Sequence, residues 1–181
     1  MPLVLLDRAV YSIFSDFVTT DNKYGGRAAA EKLVQAGAKQ IGCILGPAQV
    51  YTTKKRYQGF QEGVALIKAH TGTGCFHGAL PRNLGAPRLK RCMHRAAIGF
   101  FVENDMMAKG VLAAAKEKGI HIGENCKFAV YDYEGTENVI SVRQNLSLMA
   151  EKAIDRLIER IEEPEKLMPA GNFYITPLVE N

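Results

Sequence analysis

The sequence predicts an α/β fold with a mainly parallel sheet, and two features carry this prediction. The first is a strand-helix-strand unit between Phe17 and Gly46. Asp21-Asn22 can cap its helix, apolar residues follow at helical spacing, and Gly37 ends it before a short apolar strand. The second is the alternation of apolar strands with amphipathic helices along the rest of the chain. Gly25-Gly26 lacks the spacing of a phosphate-binding loop, so the unit indicates a fold rather than nucleotide chemistry.

Each element is predicted from its local pattern. Strands are short apolar runs bounded by polar residues, glycine or proline, whereas helices carry apolar residues every three or four positions and end at glycine or proline. In chain order the elements are strand Leu3–Leu6, the extended run from Phe17, the helix that Asp21-Asn22 caps, strand Ile41–Leu45, helix Thr52–Lys68, strand Cys75–His77, strand Ile98–Val102, helix Met106–Lys118, strand Lys127–Tyr131, the extended run Val139–Val142, helix Ser147–Glu163 and strand Phe173–Val179.

Composition excludes several classes of protein. A chain of 181 residues with 47% hydrophobic and 23% charged residues can bury a core as one domain or two small lobes. No apolar run approaches the roughly 20 residues of a membrane helix, and the N-terminus does not have the pattern of a signal peptide. The four cysteines form no C-x-x-C pair, which favours reduced thiols and no zinc site.

The net charge of +4 comes from one segment. Residues 63–102 contain six basic residues and no acidic one. Because no aromatic residues are interleaved with these charges, the pattern favours a solvated basic face over a phosphate-binding patch.

Polar residues follow three of the predicted strands at their carboxyl ends, where open α/β sheets bind ligands. They are Asp7, Asn104-Asp105 and Asp132, and Arg56 could reach the same edge. Arginine donors facing carboxylate and amide acceptors suit a polyhydroxylated ligand. Two structural readings stay open: Asp105 could be a helix N-cap, and Asp132 a turn residue before Gly135.

An enzyme would use the same carboxylates differently. Asp7, Asp105 and Asp132 could gather Mg²⁺ for phosphotransfer. The sequence has no phosphate loop, no G-x-S-x-G and no H-E-x-x-H, and its four histidines share no partner spacing. We therefore expect no catalysis and no cofactor.

A series of motifs along nearly the whole chain resembles the effector-binding domain of LacI/GalR transcriptional repressors. The motifs are residues 2–8 (PLVLLDR), 20–26 (TDNKYGG), 33–37 (LVQAG), 41–47 (IGCILGP), 56–60 (RYQGF), 104–108 (NDMMA), 130–132 (VYD) and 142–144 (VRQ). The resemblance implies two α/β lobes of periplasmic-binding-protein type with a small ligand in the cleft. It also implies a cytoplasmic, usually dimeric regulator whose helix-turn-helix headpiece binds operator DNA.

The resemblance also implies site residues. Arg56 corresponds to the family's ligand-binding arginine, Asp7 to a cleft residue of the N-terminal lobe, and Thr52 to a secondary contact. Asn104 and Asp132 would accept hydroxyls of a sugar or related metabolite. Gln144 would line the cleft where the chain crosses between lobes. Leu80 falls near the position where many members stack an aromatic ring, which weakens the expectation of sugar stacking.

The resemblance divides the chain into lobes. Residues 1–20 and 146–165 are expected to form the remnant of an N-terminal lobe, and residues 21–142 and 172–181 the C-terminal lobe. We expect the headpiece and much of the first lobe to be absent, leaving that lobe incomplete. Residues 79–97 depart from the family's helix in a way that suggests a displaced reading frame. The alternatives are a solute-binding protein for sugar transport, the Mg²⁺-dependent phosphotransfer enzyme and a fragment without function.

Overall fold

A computed structural model describes residues 1–8, 10, 13–71, 79–80, 98–124, 126–135, 138–163 and 169–180. Strands and helices alternate along the chain, as predicted. The elements are β1 (Val4–Leu6), β2 (Asp16–Thr20), α1 (Asn22–Gln35), β3 (Gln40–Ile44), α2 (Tyr51–Thr71), β4 (Ala79–Leu80), β5 (Ile98–Val102), α3 (Asp105–Glu117), β6 (Cys126–Tyr131), β7 (Ile140–Arg143), α4 (Leu146–Glu162), β8 (Asn172–Ile175) and β9 (Leu178–Glu180). The predicted strand at residues 75–77 lies outside the described residues, as does the interval 81–97.

The strands form two sheets, and nearly all of their pairings are parallel. The larger sheet has the order β4-β3-β5-β6-β7-β9, in which only the β7–β9 pair is antiparallel. The smaller sheet has the order β1-β2-β8 and is parallel throughout. These pairings confirm the predicted α/β class with a mainly parallel sheet.

The larger sheet is covered on both faces. Helices α1 and α2 pack over one face, where Leu33, Phe60 and Phe101 belong to one apolar cluster. Helix α3 covers the other face through Leu112, which packs with Phe128 in a second cluster. Burial on both faces explains why the strands read as continuous apolar runs in the sequence.

Glycines let α1 and α2 approach each other closely. A Cβ added to Gly26 would lie 2.0 Å from the Arg56 carbonyl oxygen, and one added to Gly59 would lie 1.8 Å from the Lys23 carbonyl oxygen. Neither contact is tolerable, so only glycine fits either position. Gly26 in α1 therefore serves helix packing, and this packing positions the turn of α2 that carries Arg56.

Helix α4 packs on the smaller sheet, and a buried carboxylate fastens it there. Asp16 is fully buried and receives hydrogen bonds from Arg156 Nε (2.8 Å), Arg160 and the Gly171 amide (2.7 Å). Burial alone would raise the pKa of Asp16, but the Arg160, Gly171 and Arg156 donors together lower it to about 2.

The predicted strand over residues 173–179 is wrong as a single strand. Residues 172–175 form β8 beside β2 in the smaller sheet, and 178–180 form β9 beside β7 in the larger one. Pro177 stands in the break, and proline has no N–H with which to continue a ladder. The expected assignment of residues 172–181 to one lobe therefore fails for β8, which lies in the sheet of β1 and β2.

Candidate functional site

A polar cavity of about 460 Å³ lies where the carboxyl ends of strands from both sheets meet. This volume is within the range of small-molecule sites, roughly 300–1,000 Å³. Residues from β-strand ends, from the start of α2 and from the crossing after β7 line it. They are Asp7, Arg8, Gly46, Pro47, Val50, Tyr51, Thr52, Thr53, Arg56, Glu103, Asn104, Asp132 and Gln144.

The cavity brings together most of the site predicted from the sequence. Six of those residues line it: Asp7, Thr52, Arg56, Asn104, Asp132 and Gln144. For the seventh, Leu80, the structure describes only the backbone, which pairs with Ile44 at the end of β4. Arg8, Thr53 and Glu103 were not predicted as site residues.

Arg56 is held by contacts on several sides. Its side chain is buried, its Nε donates to Asn22 Oδ1 (2.8 Å), and its Nη1 donates to the Glu103 carbonyl oxygen (2.8 Å). The guanidinium lies 3.5 Å from the centre of the Tyr131 ring, a cation–π geometry. Burial raises the pKa of the Tyr131 hydroxyl well above its usual range, and the nearby Arg56 charge opposes this only in part. The planar group is therefore fixed in orientation before any ligand arrives.

Glu103 is a buried carboxylate that immediately follows β5. Only 4% of its surface is exposed. Its Oε2 accepts from the Gly46 amide and its Oε1 from Thr53 Oγ1, each at 2.5 Å. The available signal was an acidic residue directly after a buried apolar strand; the motif used for the prediction began at Asn104, which also lines the cavity, and so did not include Glu103.

The structure corrects the reading of the next two residues. The N-cap of α3 is Asn104, whose Oδ1 accepts from the Met107 amide (2.9 Å). Asp105 lies in the first helical turn and pairs with Lys109 at 2.6 Å. The proposed capping role of Asp105 is therefore wrong, and part of the acceptor capacity expected of Asn104 is used by its own helix.

Asp132 and Gln144 link the two sheets at the cavity edge. Asp132 accepts from the Gln144 amide and from Gln144 Nε2, both at 2.8 Å. Gln144 Oε1 in turn accepts from Thr20 Oγ1 (2.8 Å) at the end of β2. The Asp21 amide donates to the Ile175 carbonyl (2.7 Å). The three segments in which the chain passes from one sheet to the other, after β2, after β7 and after β8, therefore lie side by side. Gln144 thus serves as a polar link between the sheets.

Asp7 and Asp132 share an uncommon backbone conformation. Their φ angles are +65° and +54°, in the left-handed region that residues other than glycine adopt mainly at turns and functional sites. Asp7 Oδ1 is also buried without a hydrogen-bond partner among the described residues. A buried acceptor left unsatisfied is costly, so the cavity offers an incoming donor a place to bind.

The carboxylates do not converge on a metal. Asp105 is turned to Lys109 and does not line the cavity. Among the residues that the structure describes, no three His, Cys, Asp or Glu side chains are grouped so as to hold an ion. The geometry gives the magnesium hypothesis no support.

The sequence matches a family model and several curated proteins. The family model described as a periplasmic binding protein-like domain matches residues 30–177. The HTH-type transcriptional repressor PurR of Mannheimia succiniciproducens is 26% identical over 171 residues, covering 89% of this chain and 51% of that protein. The chain thus spans about half the length of the curated relatives it matches.

Solved structures share the fold at low sequence identity. A complex of the transcriptional regulator CelR with cellobiose has a TM-score of 0.74 at 22% identity, over 98% of this chain and 57% of that one. A LacI family transcriptional regulator from Enterococcus faecium with bound ribose has a TM-score of 0.76 at 22% identity, over 99% of this chain and 69% of that one.

The cavity between two mainly parallel sheets and the family match over most of the chain define the class. The protein belongs to the periplasmic binding protein-like domain family. The resemblance of its motifs to the effector-binding domains of LacI-type regulators is confirmed by these relatives. No helix among the described residues is long and apolar enough to cross a membrane.

Proposed function

We propose that this chain is the effector-binding portion of a cytoplasmic LacI-type transcriptional regulator, with a sugar or sugar derivative as its effector. The observation that carries the proposal is the cavity, because it joins a fixed arginine to carboxylate and amide groups at the strand ends of two sheets. Relatives named as transcriptional repressors, and neighbours holding cellobiose and ribose, support the same function.

The proposed ligand contacts follow from the geometry of the cavity. Arg56 donates to ring or hydroxyl oxygens, and Asp7 and Asp132 accept hydroxyl protons. Hydrogen bonds to charged groups contribute about 1.5–3 kcal/mol each, so two or three of them give micromolar to millimolar affinity. We propose no catalysis, since the sequence has no phosphate loop, no G-x-S-x-G and no H-E-x-x-H and the relatives are named as transcriptional repressors.

The regulatory step would act through the crossings between the sheets. A ligand that contacts Asp7 on one side and Arg56 on the other favours one arrangement of the sheets over another. In a dimer this preference would change the spacing of the helix-turn-helix headpieces on operator DNA. Dimerisation and operator binding belong to this proposal for the whole regulator.

A thermal-shift screen tests the binding function. The purified chain would be melted with pentoses, hexoses, cellobiose and purines, beside the Arg56→Ala variant and Arg27→Ala as a matched control on the surface of α1. A ligand at 100 times its dissociation constant stabilises by about 2.7 kcal/mol. We expect a sugar to raise the midpoint in the wild type and in Arg27→Ala but not in Arg56→Ala.

A second cavity variant keeps the result interpretable. If Arg56→Ala does not fold, Asp7→Asn replaces it, because asparagine tolerates the backbone conformation of Asp7. A folded wild type that responds to no sugar, or a shift that persists in both cavity variants, would contradict the proposal.

A further inference from the structure

The charges around the cavity are unequal. Among the described lining residues, Asp7, Glu103 and Asp132 are acidic, and Arg8 and Arg56 are basic. Arg8 is exposed to solvent. Arg56 is engaged with the Tyr131 ring, Asn22 and the Glu103 carbonyl. The described part of the cavity wall therefore carries more negative than positive charge.

Glu103 contributes a charge that its partners do not neutralise. Both carboxylate oxygens are fixed by neutral donors, the Gly46 amide and the Thr53 hydroxyl. Arg56 Nη1 donates to the Glu103 backbone carbonyl rather than to the carboxylate. A buried charge held in this way acts at longer range than a surface charge, because little water screens it.

The carboxylate of Glu103 also lies beside the first turn of α2. The first residues of α2, Tyr51 to Thr53, line the cavity, and a helix N-terminus favours negative charge. Thr53, in this first turn, donates to Glu103. The protein's own carboxylate therefore already lies at the α2 N-terminus.

We propose that Glu103, aided by Asp7 and Asp132, makes the cavity select uncharged or amino-bearing polyhydroxylated ligands and reject their phosphorylated forms. This inference rests on the proposed function. A phosphomonoester carries between one and two negative charges at pH 7. One unit charge about 10 Å away, at an effective dielectric constant of about 20, changes affinity by about 15-fold.

Titration calorimetry with matched ligand pairs tests the inference. The probes are ribose with ribose 5-phosphate, and glucose with glucosamine and glucose 6-phosphate. For the sugar that binds, the wild-type chain should bind the phosphate at least ~10-fold more weakly than the parent. The amino sugar should bind at least as tightly as its parent.

The variant Glu103→Gln removes the charge and keeps the shape. The glutamine carbonyl can accept from the Gly46 amide, while its NH₂ donates to Thr53 Oγ1. This variant should reduce the ratio of sugar affinity to sugar-phosphate affinity by ~10-fold. Glu117→Gln, on the exposed end of α3, makes the same change in net charge away from the cavity and should leave the ratio unchanged.

The outcomes separate this inference from the proposed function. A phosphate that binds the wild type as tightly as its parent sugar overturns the selectivity while leaving sugar binding intact. If the ratio of sugar affinity to phosphate affinity is the same in Glu103→Gln as in Glu117→Gln, the role of Glu103 is overturned. If Glu103→Gln does not fold, Asp7→Asn must reduce this ratio instead, and failure to do so overturns the inference. If the folded wild type binds none of these probes and none of the sugars in the thermal-shift screen, the proposed function fails and the inference with it.

Discussion

Replacing Asp16 with asparagine should weaken the attachment of α4 to the smaller sheet in a pH-dependent way. In the wild type the carboxylate pairs with Arg156 and Arg160, whose side chains are only 12% and 21% exposed. Replacing Asp16 removes the carboxylate that both guanidinium groups share, while Arg156 keeps its ion pair with Glu159. The loss of the shared carboxylate costs about 2–4 kcal/mol at pH 7.

The pH dependence follows from the lowered pKa of Asp16. Its carboxyl has a pKa near 3.8 when unperturbed and about 2 in the fold. At about 1.36 kcal/mol per pH unit, this difference stabilises the folded state by about 2.4 kcal/mol. Because the folded-state pKa is lowered, the stabilisation is complete above pH 5 and is lost as the pH falls. About 1 kcal/mol of it is gone by pH 3, and most of it at pH 2.

Urea denaturation followed by circular dichroism would measure this effect. The free energies of unfolding of the wild type and Asp16→Asn are compared at pH 7, 5, 4 and 3. Taking their difference cancels the titration of all other carboxyls. Asp155→Asn serves as control, since Asp155 is an exposed aspartate on the same helix and should change stability by less than about 0.5 kcal/mol.

The difference between wild type and Asp16→Asn should shrink by about 1 kcal/mol between pH 5 and pH 3. A difference that stays constant over this range would refute the reasoning, because it would mean that the carboxyl has the same pKa in the folded and unfolded chain. A difference near zero at pH 7 would show that the two arginines do not need the carboxylate.

Three further predictions test other features of the structure. Gly59→Ala should lower the free energy of unfolding by about 1–3 kcal/mol in urea melts, because the close approach of α1 and α2 leaves no room for a methyl group. The control Gly110→Ala, in open space within α3, should raise the free energy of unfolding by about 0.5–1 kcal/mol. Equal effects of the two substitutions would contradict the packing argument. Burial raises the pKa of Cys43 and Cys126 to about 12, so peptide mapping should find both unmodified by iodoacetamide in the native protein at pH 8 and modified after unfolding; native labelling at rates typical of free thiols would contradict their burial. Asp7→Asn should weaken binding of a sugar by about tenfold or more in titration calorimetry with little loss of stability, and unchanged affinity would exclude Asp7 from the ligand contacts.

The fold could be predicted because its signals are local. Apolar runs, helical spacing and glycine stops each lie within a few residues, and the parallel sheet follows from their alternation. The error at residues 173–179 arose because two strands joined by Thr176-Pro177 read as one apolar run. Only pairing with distant partners, β2 for one strand and β7 for the other, separates them.

The site could be predicted less completely, for a related reason. Strand ends indicate which residues reach the cavity but not what each side chain does there. Asn104 and Asp105 are neighbours with similar capping preferences, and the structure alone shows that Asn104 takes the cap. Glu103 is fixed by Gly46, 57 positions away, and by Thr53, 50 positions away, a link that no sequence motif shows.

The polar groups of the cavity differ in how much hydrogen-bonding capacity they have left for a ligand. Asp132 accepts two bonds from Gln144, Glu103 accepts two from its neighbours, and Asn104 caps α3. These groups are held in position, but a ligand that approaches them shares acceptors already in use. Asp7 Oδ1 differs, because it is buried and has no hydrogen-bond partner among the described residues. Asp7 directly follows β1 of the smaller sheet and lines the same cavity as Arg56. A hydroxyl that donates to it satisfies a group already removed from water, so the bond costs little further desolvation. Much of the binding free energy should therefore arise at Asp7. Because a ligand that contacts both Asp7 and Arg56 connects the smaller sheet to the larger one, the same contact would favour approach of the two sheets.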